Sequence, residues 1–225
     1  MLTIDHVTKT YGKFTALRDI TLELESGVYG LLAPNGAGKT TLLKLITTLL
    51  FPTSGQILWD GKDIIGMGEE YRALLGYLPQ EFGYYPSYTP QQFLNYVAAL
   101  QCIPKSKAKP RIAELLELVG MSKHAETKMR KFSGGMKQRI GIAQAMLNDP
   151  KILILDEPTA GLDPKERVRF RNLIHSLSQD RIVILSTHIV SDIETIASNI
   201  IMIKDHALLC CESPQNICSA FAGKV

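Results

Sequence analysis

The stretch LLAPNGAGKTT, from Leu31 to Thr41, is the most informative part of this sequence. The apolar run VYGLLA leads into it, and TTLLKLITTLL, whose composition is helical, follows it and is expected to stop at Pro52. A strand that passes through a glycine-rich turn into a helix points backbone N–H groups and the positive end of the helix dipole at one anion. The stretch therefore predicts a phosphate-binding loop between a strand and a helix.

Several residues of this loop have physical roles in phosphate binding. Gly36 and Gly38 permit close approach of the backbone. Lys39 can reach the outer phosphates, and the Thr40 hydroxyl can ligate Mg²⁺. Ala33 stands where the first glycine of the motif is expected, and its methyl group costs little if φ is negative. The nucleotide-binding candidates in the loop are Ala33, Pro34, Asn35, Gly36, Ala37, Gly38, Lys39, Thr40 and Thr41.

A pair of adjacent carboxylates follows the apolar run KILIL later in the chain. Asp156 and Glu157 are expected at the carboxyl end of a strand, the edge where ligands bind in open α/β sheets. There Asp156 would hold Mg²⁺, directly or through water, and Glu157 could accept a proton from attacking water. Two solvated acids at a strand end are the alternative interpretation.

The alternation of apolar strands with helices predicts an α/β fold. KILILDEP and RIVILSTH are continuous apolar runs, as expected of parallel strands covered on both faces. Ser191 and Glu194 predict a capping box at the start of a late helix. The residues that predict the buried face of the preceding helix are Phe170, Leu173, Ile174 and Leu177.

The segment from 88 to 147 is expected to contain helices without strands. Pro90 suits the first turn of one helix. The apolar stripe of the next helix, which Gly120 can end, consists of Ile112, Leu115, Leu116 and Val119. We therefore expect a single domain over 1–225, with a core formed by 1–87 and 148–225 and a helical subdomain over 88–147.

Five further motifs resemble those of the nucleotide-binding subunit of ABC transporters, and the resemblance covers nearly the whole chain. FSGGMKQRIGIAQAML is similar to the family signature, which occurs only in this family of phosphate-loop proteins. YLPQ matches the glutamine loop at Gln80, AGLD the aspartate loop at Asp163, and STH the switch histidine at His188. Tyr11 in TYGKFTAL occupies the place of the aromatic residue that stacks on adenine. The resemblance implies a phosphate-loop NTPase core with a mostly parallel sheet, an N-terminal antiparallel β region and an inserted helical subdomain.

The resemblance also implies an ATPase that uses ATP and Mg²⁺. It assigns the catalytic roles to Glu157, His188 and Gln80. It assigns the metal ligands to Thr40, Gln80 and Asp156. Outside the loop it assigns nucleotide contacts to Tyr11, Ser133, Gly134, Gly135 and Asp163. Without the family context, Tyr11 can be read as a core tyrosine, Gln80 as an ordinary loop glutamine and His188 as a hydrogen-bonded structural histidine.

The signature residues predict that two chains pair. Ser133 to Gly135 lie at the expected start of a helix and therefore form a second anion site. In the family, two cassettes pair head to tail and each signature closes over the ATP of the other. The implied partners are a second cassette, identical or related, and a separately encoded membrane permease. Phe132 and Met136 replace the usual leucine and glutamine, which removes one polar contact.

The run GYLPQEFGYYPSYTPQQFLNYVAAL looks like the exporter branch of the family, which favours export of a drug, peptide or lipid. Two other functions stay open. A soluble assembly-factor ATPase with a single cassette would carry the same motifs, and co-purification with a membrane permease would distinguish it. A nucleotide-binding regulator without turnover is disfavoured, because Glu157 and His188 are both present.

Composition argues against several classes of protein. The 25 Lys and Arg residues against 22 Asp and Glu give a net charge of +3, too small to indicate a nucleic-acid partner. No apolar run approaches the roughly 20 residues of a membrane-spanning helix, and the N-terminus does not resemble a secretory signal. We expect a cytoplasmic protein, peripheral at the inner face of the cell membrane, whose four cysteines are reduced.

Basic residues are concentrated between Lys105 and Arg139, where ten of them accompany three acidic residues. A solvated helical face is one interpretation, because lysine favours exposure. The other is a surface that faces a membrane partner or anionic headgroups, which attract basic residues by about 1 kcal/mol each.

Overall fold

A computed structural model describes residues 1–178, 180–187 and 189–221. The strands among these residues are β1 (Leu2–Tyr11), β2 (Phe14–Leu24), β3 (Gly27–Leu32), β4 (Ser54–Trp59), β5 (Lys62–Asp63), β6 (Leu75–Leu78), β7 (Ile152–Asp156), β8 (Ile182–Ser186), β9 (Asn199–Lys204) and β10 (Ala207–Glu212). The helices are α1 (Lys39–Ile46), α2 (Ile64–Met67), α3 (Glu69–Arg72), α4 (Pro90–Leu100), α5 (Lys105–Leu118), α6 (Gly134–Ala145), α7 (Pro164–Leu177), α8 (Val190–Glu194) and α9 (Pro214–Phe221).

The strands form two sheets of different type. The first has the order β2-β1-β4-β5 and is antiparallel throughout. The second has the order β10-β9-β3-β8-β7-β6, and its strands run parallel except for β10, which pairs antiparallel with β9. The expected mostly parallel sheet and the N-terminal antiparallel region are both confirmed.

The six-stranded sheet is covered on both faces, which explains the continuous apolar runs of β7 and β8. Successive side chains of a strand point to opposite faces. Ile152 and Ile154 belong to a hydrophobic cluster with the antiparallel sheet and α1. Leu153 and Leu155 belong to the cluster formed with α4, α5, α6 and α7. Because every position of β7 and β8 is buried, neither strand can alternate apolar with polar residues.

The helices α4, α5 and α6 lie between β6 and β7 in sequence, as expected. Pro90 is the first residue of α4, and Thr89 caps the helix in a capping box with Gln92. Gly120, with φ of 67°, follows the end of α5. The side chains of these helices share one hydrophobic cluster with the sheet. Their division into a separate subdomain over 88–147 stays a prediction.

The prediction that the helix after the loop continues to Pro52 is wrong. The helix α1 ends at Ile46, and Thr48 has a positive φ of 58°. The hydroxyl of Thr47 donates to the carbonyl oxygen of Leu43 at 2.9 Å. Two consecutive β-branched residues weaken the helix, and a hydroxyl that bonds the preceding turn offers the chain another conformation.

The predicted capping box at Ser191 is also wrong. The helix α8 already begins at Val190, and its cap residue, Ile189, makes no side-chain cap hydrogen bond. Instead, the N–H of Ile189 donates to the hydroxyl of Thr187 at 3.1 Å. The hydroxyl that orders this helix start therefore lies four residues before the serine that the motif selects.

Candidate functional site

The loop between β3 and α1 requires glycine at two positions. Gly36 and Gly38 have φ of 81° and 109°, a region that residues with a side chain disfavour. A Cβ added to Gly38 would lie 2.4 Å from the carbonyl oxygen of Ala16, so a larger residue meets backbone there. Ala33 is not among the described residues with positive φ. A methyl group at 33 therefore adds no backbone strain.

A cleft of about 550 Å³ opens beside this loop and collects residues from five parts of the chain. These parts are the end of β1, the start of β2, the loop with the start of α1, the segment after β6 and the end of β7. The predicted residues that line the cleft are Tyr11, Pro34, Asn35, Gly36, Gly38, Lys39, Thr40, Thr41, Gln80, Asp156 and Glu157. Ala33 and Ala37 belong to the loop but pack against the hydrophobic cluster beneath it.

The two carboxylates are held in place by neighbouring strands. Asp156 is the last residue of β7 and lies opposite Ser186 of β8. The Ser186 hydroxyl donates to Asp156 Oδ1, and the N–H of Glu157 donates to the Ser186 carbonyl oxygen at 2.9 Å. Both acids are buried, with exposures of 5% and 8%. Glu157 has φ of 50°, and strained backbone of this kind is concentrated at functional positions.

Lys39 joins the loop to these carboxylates. Its Nζ donates to Glu157 Oε1 at 2.8 Å, although the two residues are 118 positions apart in the sequence. The two side chains are only 13% and 7% exposed. Two charges so far removed from water are stable together because each compensates the desolvation of the other. The expected phosphate-binding ammonium group and the expected general base are therefore in direct contact.

Tyr77, on the adjacent strand β6, lies in the same buried environment as Asp156. Burial raises the pKa of its phenol, and the negative charge of Asp156 raises the pKa further. The phenol, which is protonated at neutral pH even with an ordinary pKa, therefore keeps its proton to a higher pH than usual. The edge of the sheet beside Asp156 carries no additional negative charge from this tyrosine.

Two aromatic side chains flank the mouth of the cleft. Tyr11 ends β1, and Phe14 begins β2 and pairs with Tyr11 across the hairpin. Their exposures of 46% and 54% leave aromatic surface accessible to a ligand. Sequence reasoning missed Phe14 and also Ala16, both of which line the cleft. The available signal was Gly12, whose φ of 58° makes the tight turn that brings Tyr11 and Phe14 together.

The oxygen donors of the cleft fit a magnesium ion. The Thr40 hydroxyl, the Asp156 carboxylate and the Gln80 side-chain carbonyl all line it, and hard oxygen ligands are those that Mg²⁺ prefers. Within the part of the chain that the structure describes, no group of three or more His, Cys, Asp or Glu residues could hold a metal by itself. A site with one carboxylate matches the way Mg²⁺ is shared between protein and nucleotide phosphates.

The signature residues lie outside this cleft. Ser133 caps α6, and its hydroxyl accepts the N–H of Met136 at 3.3 Å. Gly135 lines a second cavity, of about 370 Å³, between α5, α6 and α7. Asp163 caps α7 and accepts the N–H of Glu166 at 2.9 Å. Neither Asp163 nor Ser133 to Gly135 lines the cleft beside the loop.

The predicted switch histidine, His188, lies outside the described residues. The strand that precedes it is described, because β8 ends at Ser186 and places that residue next to Asp156. The role of His188 at the nucleotide phosphates stays a prediction.

The basic segment presents most of its charges to the solvent. Arg111 bonds the Met146 carbonyl oxygen at 2.9 Å and Arg139 bonds Glu166 at 2.7 Å, so these two have structural partners. The exposed basic residues are Lys105, Lys107, Lys109, Lys123, Lys128, Arg130 and Lys131. Among the described residues, no helix has the length and apolar character to span a membrane.

The family model described as ABC transporter matches residues 17–160, which include the loop, both carboxylates and the signature. The chain belongs to the ABC transporter family. Within that family it corresponds to the ATP-binding subunit, as the names of its relatives show.

Two relatives of this ABC cassette carry informative names. The linearmycin resistance ATP-binding protein of Bacillus subtilis is 34% identical, over 99% of this chain and 72% of that protein. The bacitracin transport ATP-binding protein of Bacillus licheniformis is 39% identical, over 90% of this chain and 66% of that protein. Each of these two proteins extends beyond the part of its chain that matches this cassette.

Solved structures share the fold of this ABC cassette. A dimeric bacterial ABC transporter cassette is 28% identical, with a TM-score of 0.82 over 95% of this chain and 98% of that one. The same protein is also known as a dimer in a post-hydrolysis state bound to ADP and Pi, with a TM-score of 0.81.

Proposed function

We propose that this cassette hydrolyses ATP and that hydrolysis powers transport across a membrane, with export as the direction. The contact between Lys39 and Glu157 carries the proposal, because it brings the phosphate loop and the base to one point of one cleft. A phosphate loop alone would support nucleotide binding. The loop with an adjacent buried carboxylate supports turnover.

ATP binds with its phosphates at the loop and its base near the aromatic pair. The N–H groups at the start of α1 and the helix dipole face the phosphates, and the Lys39 ammonium neutralises the charge of the outer ones. Tyr11 and Phe14 offer ring surface for stacking on adenine, a contact worth roughly 1–3 kcal/mol per base. The remaining loop residues, Pro34 to Gly38 and Thr41, complete the backbone cradle.

Mg²⁺ would be held by Thr40 and Asp156, with Gln80 as a further ligand. When bound, the ion neutralises charge on the phosphate oxygens. The Asp156 carboxylate is already held in position for the ion, because the hydroxyl of Ser186 donates a hydrogen bond to it.

Glu157 acts as the general base for hydrolysis. A water oxygen attacks the γ-phosphorus and its proton passes to the Glu157 carboxylate. The bond from the γ-phosphorus to the bridging oxygen breaks, and ADP leaves with that bond's electron pair. The burial of Glu157 keeps bulk water from competing for the proton. In this proposal His188 donates to the γ-phosphate and orients the attacking water.

A second cassette completes each site. Ser133 to Gly135 lie at the start of a twelve-residue helix, where backbone N–H groups face an anion, yet they are absent from the cleft of their own chain. Head-to-tail pairing gives the signature and Asp163 of one chain access to the nucleotide of the other. The dimeric form of a similar cassette supports this arrangement.

Transport requires a membrane permease, which we propose is a separate chain that this cassette meets at the inner face of the membrane. Relatives named for linearmycin resistance and bacitracin transport support export, because resistance follows when a toxic compound is removed from the cell. Co-purification with a membrane protein from detergent tests this part of the proposal. Recovery of the cassette only with soluble partners would favour an assembly-factor ATPase instead.

Replacing Glu157 by glutamine tests catalysis directly. The change keeps the shape of the side chain but removes proton acceptance, so hydrolysis should fall by about a hundredfold or more. ATP affinity should persist, and ATP-bound dimers should accumulate in light scattering because the γ-phosphate stays intact. Glu126→Gln, at an exposed position outside the cleft, is the control. Hydrolysis by Glu157→Gln at the wild-type rate would overturn the assignment of the base.

A further inference from the structure

An ion-pair network joins the signature helix to the segment that follows Asp163 within one chain. Arg139 of α6 donates to Glu166 Oε2 at 2.7 Å, and Arg169 donates to Glu166 Oε1 at 2.7 Å. The side chains of Arg139 and Glu166 are 21% and 19% exposed, whereas Arg169 is 55% exposed. The ion pair between Arg139 and Glu166 is therefore better shielded from solvent than the pair between Arg169 and Glu166.

Glu166 also contacts both functional segments directly. A Cβ added to Gly135 would lie 3.1 Å from Glu166 Oε2 and 3.4 Å from the side chain of Leu162, so this signature glycine packs on both residues. The N–H of Glu166 donates to the Asp163 carboxylate at 2.9 Å. Glu166 is thereby connected to the start of α6 through its side chain and to Asp163 through its backbone.

We propose that Glu166 is a positioning residue that holds the signature and Asp163 in one fixed arrangement for closure over the ATP of a second chain. The inference rests on the head-to-tail pairing proposed above. Segments that are already ordered lose less conformational freedom when they bind, which favours closure. Glu166 and Arg139 do not line the cleft beside the loop, so their effect falls on pairing and not on the affinity of a chain for its own nucleotide.

The first test places Glu166→Gln in the Glu157→Gln background. The dissociation constant of the ATP-bound dimer should rise about tenfold, a change in the range of couplings between contacting residues. ATP affinity of the monomer should stay within about twofold. Glu114→Gln is a matched control, because Glu114 also pairs with an arginine three residues away but is 64% exposed and lies on α5. An unchanged dimer dissociation constant overturns the proposal.

The second test measures hydrogen exchange of the amides of residues 134–139 in the chain without ATP. Glu166→Gln should speed their exchange while the melting temperature stays near that of Glu114→Gln. If these amides exchange equally fast in Glu166→Gln and Glu114→Gln, the proposal is overturned. It is also overturned if Glu166→Gln loses dimer only in proportion to a lower melting temperature. If the Glu157→Gln chain itself stays monomeric, pairing of identical chains is overturned, and the exchange rates still decide whether Glu166 holds the two segments together.

Discussion

At the level of single residues, the backbone angle determines which loop positions need glycine. Gly36 has a positive φ but open space where a Cβ would lie, whereas Gly38 has a positive φ and the Ala16 carbonyl oxygen in the way. Ala33 has neither constraint. The three positions therefore differ in what a methyl group costs, although the motif treats all of them as glycines.

Exchanging glycine and alanine at these positions should give a graded effect. Ala33→Gly should change ATP affinity by less than tenfold, or about 1.4 kcal/mol. Gly36→Ala should weaken ATP binding by about 1–2 kcal/mol, because alanine is strained at the positive φ of this position. Gly38→Ala should weaken ATP binding by more, because the neighbouring backbone must also move. Calorimetric titration with a non-hydrolysable ATP analogue measures all three. Equal affinities for Ala33→Gly and Gly38→Ala would contradict the structural explanation.

Lys39 should matter more for binding than any other side chain of the loop. Lys39→Ala removes the charge that neutralises the outer phosphates, so ATP affinity should fall well beyond tenfold. Lys44→Ala is the matched control, because Lys44 lies in the same helix but is exposed. Wild-type affinity in the Lys39→Ala variant would remove the basis for a phosphate loop.

Most of the cleft could be predicted from sequence because its residues stand in compact motifs. Lys39 comes after the apolar run of β3, and Asp156 and Glu157 stand at the end of the apolar run of β7. The contact between Lys39 and Glu157 could not be predicted from these motifs, because it depends on the order of β3, β8 and β7 in the sheet. Phe14 was missed because its place in the cleft comes from hairpin pairing and not from a motif.

At the level of secondary structure, the central strands were easier to predict than the helix ends. Burial of both faces makes β7 and β8 apolar up to their last residues, Asp156 and Ser186, and this leaves a continuous apolar run in each. A helix end depends on one or two hydrogen bonds, such as that from Thr47 to Leu43. Residues with the right spacing for a cap occur at both Thr89 and Ser191, but only Thr89 makes the cap.

These two positions should respond differently to alanine. Thr89→Ala should lower the free energy of unfolding by about 1 kcal/mol, because the hydroxyl accepts the N–H of Gln92. Ser191→Ala should change it by less than about 0.5 kcal/mol, as expected at an exposed position that makes no cap. Urea unfolding followed by circular dichroism measures both, and an equal loss in the two variants would contradict the assigned caps.

At the level of the whole molecule, charge is distributed unevenly. Seven basic residues between 105 and 131 are exposed, while the acids of the nucleotide cleft are buried. This surface does not overlap the residues that line the cleft. The charges of this surface can therefore be changed without replacing any residue that lines the cleft.

Neutralising part of this surface tests its role. Changing Lys105, Lys107 and Lys109 to glutamine should reduce recovery of the cassette with membranes at physiological salt, since each lysine contributes about 1 kcal/mol near an anionic surface. ATPase activity in solution should not change. The same change at Lys62, Lys151 and Lys204, which are also exposed, is the control. Equal recovery of both variants would favour a solvated face without a partner.

The separation of the cleft from the signature helix also determines how ATP consumption depends on concentration. In the head-to-tail pairing proposed above, one chain alone has only half of each site, so hydrolysis in dilute solution should rise with the square of the chain concentration. Two cassettes held by one permease would meet at an effective concentration in the millimolar range. Their rate would then be first order in the complex. Chains that have not reached a permease would consume little ATP, and assembly with the membrane protein would itself switch on the activity.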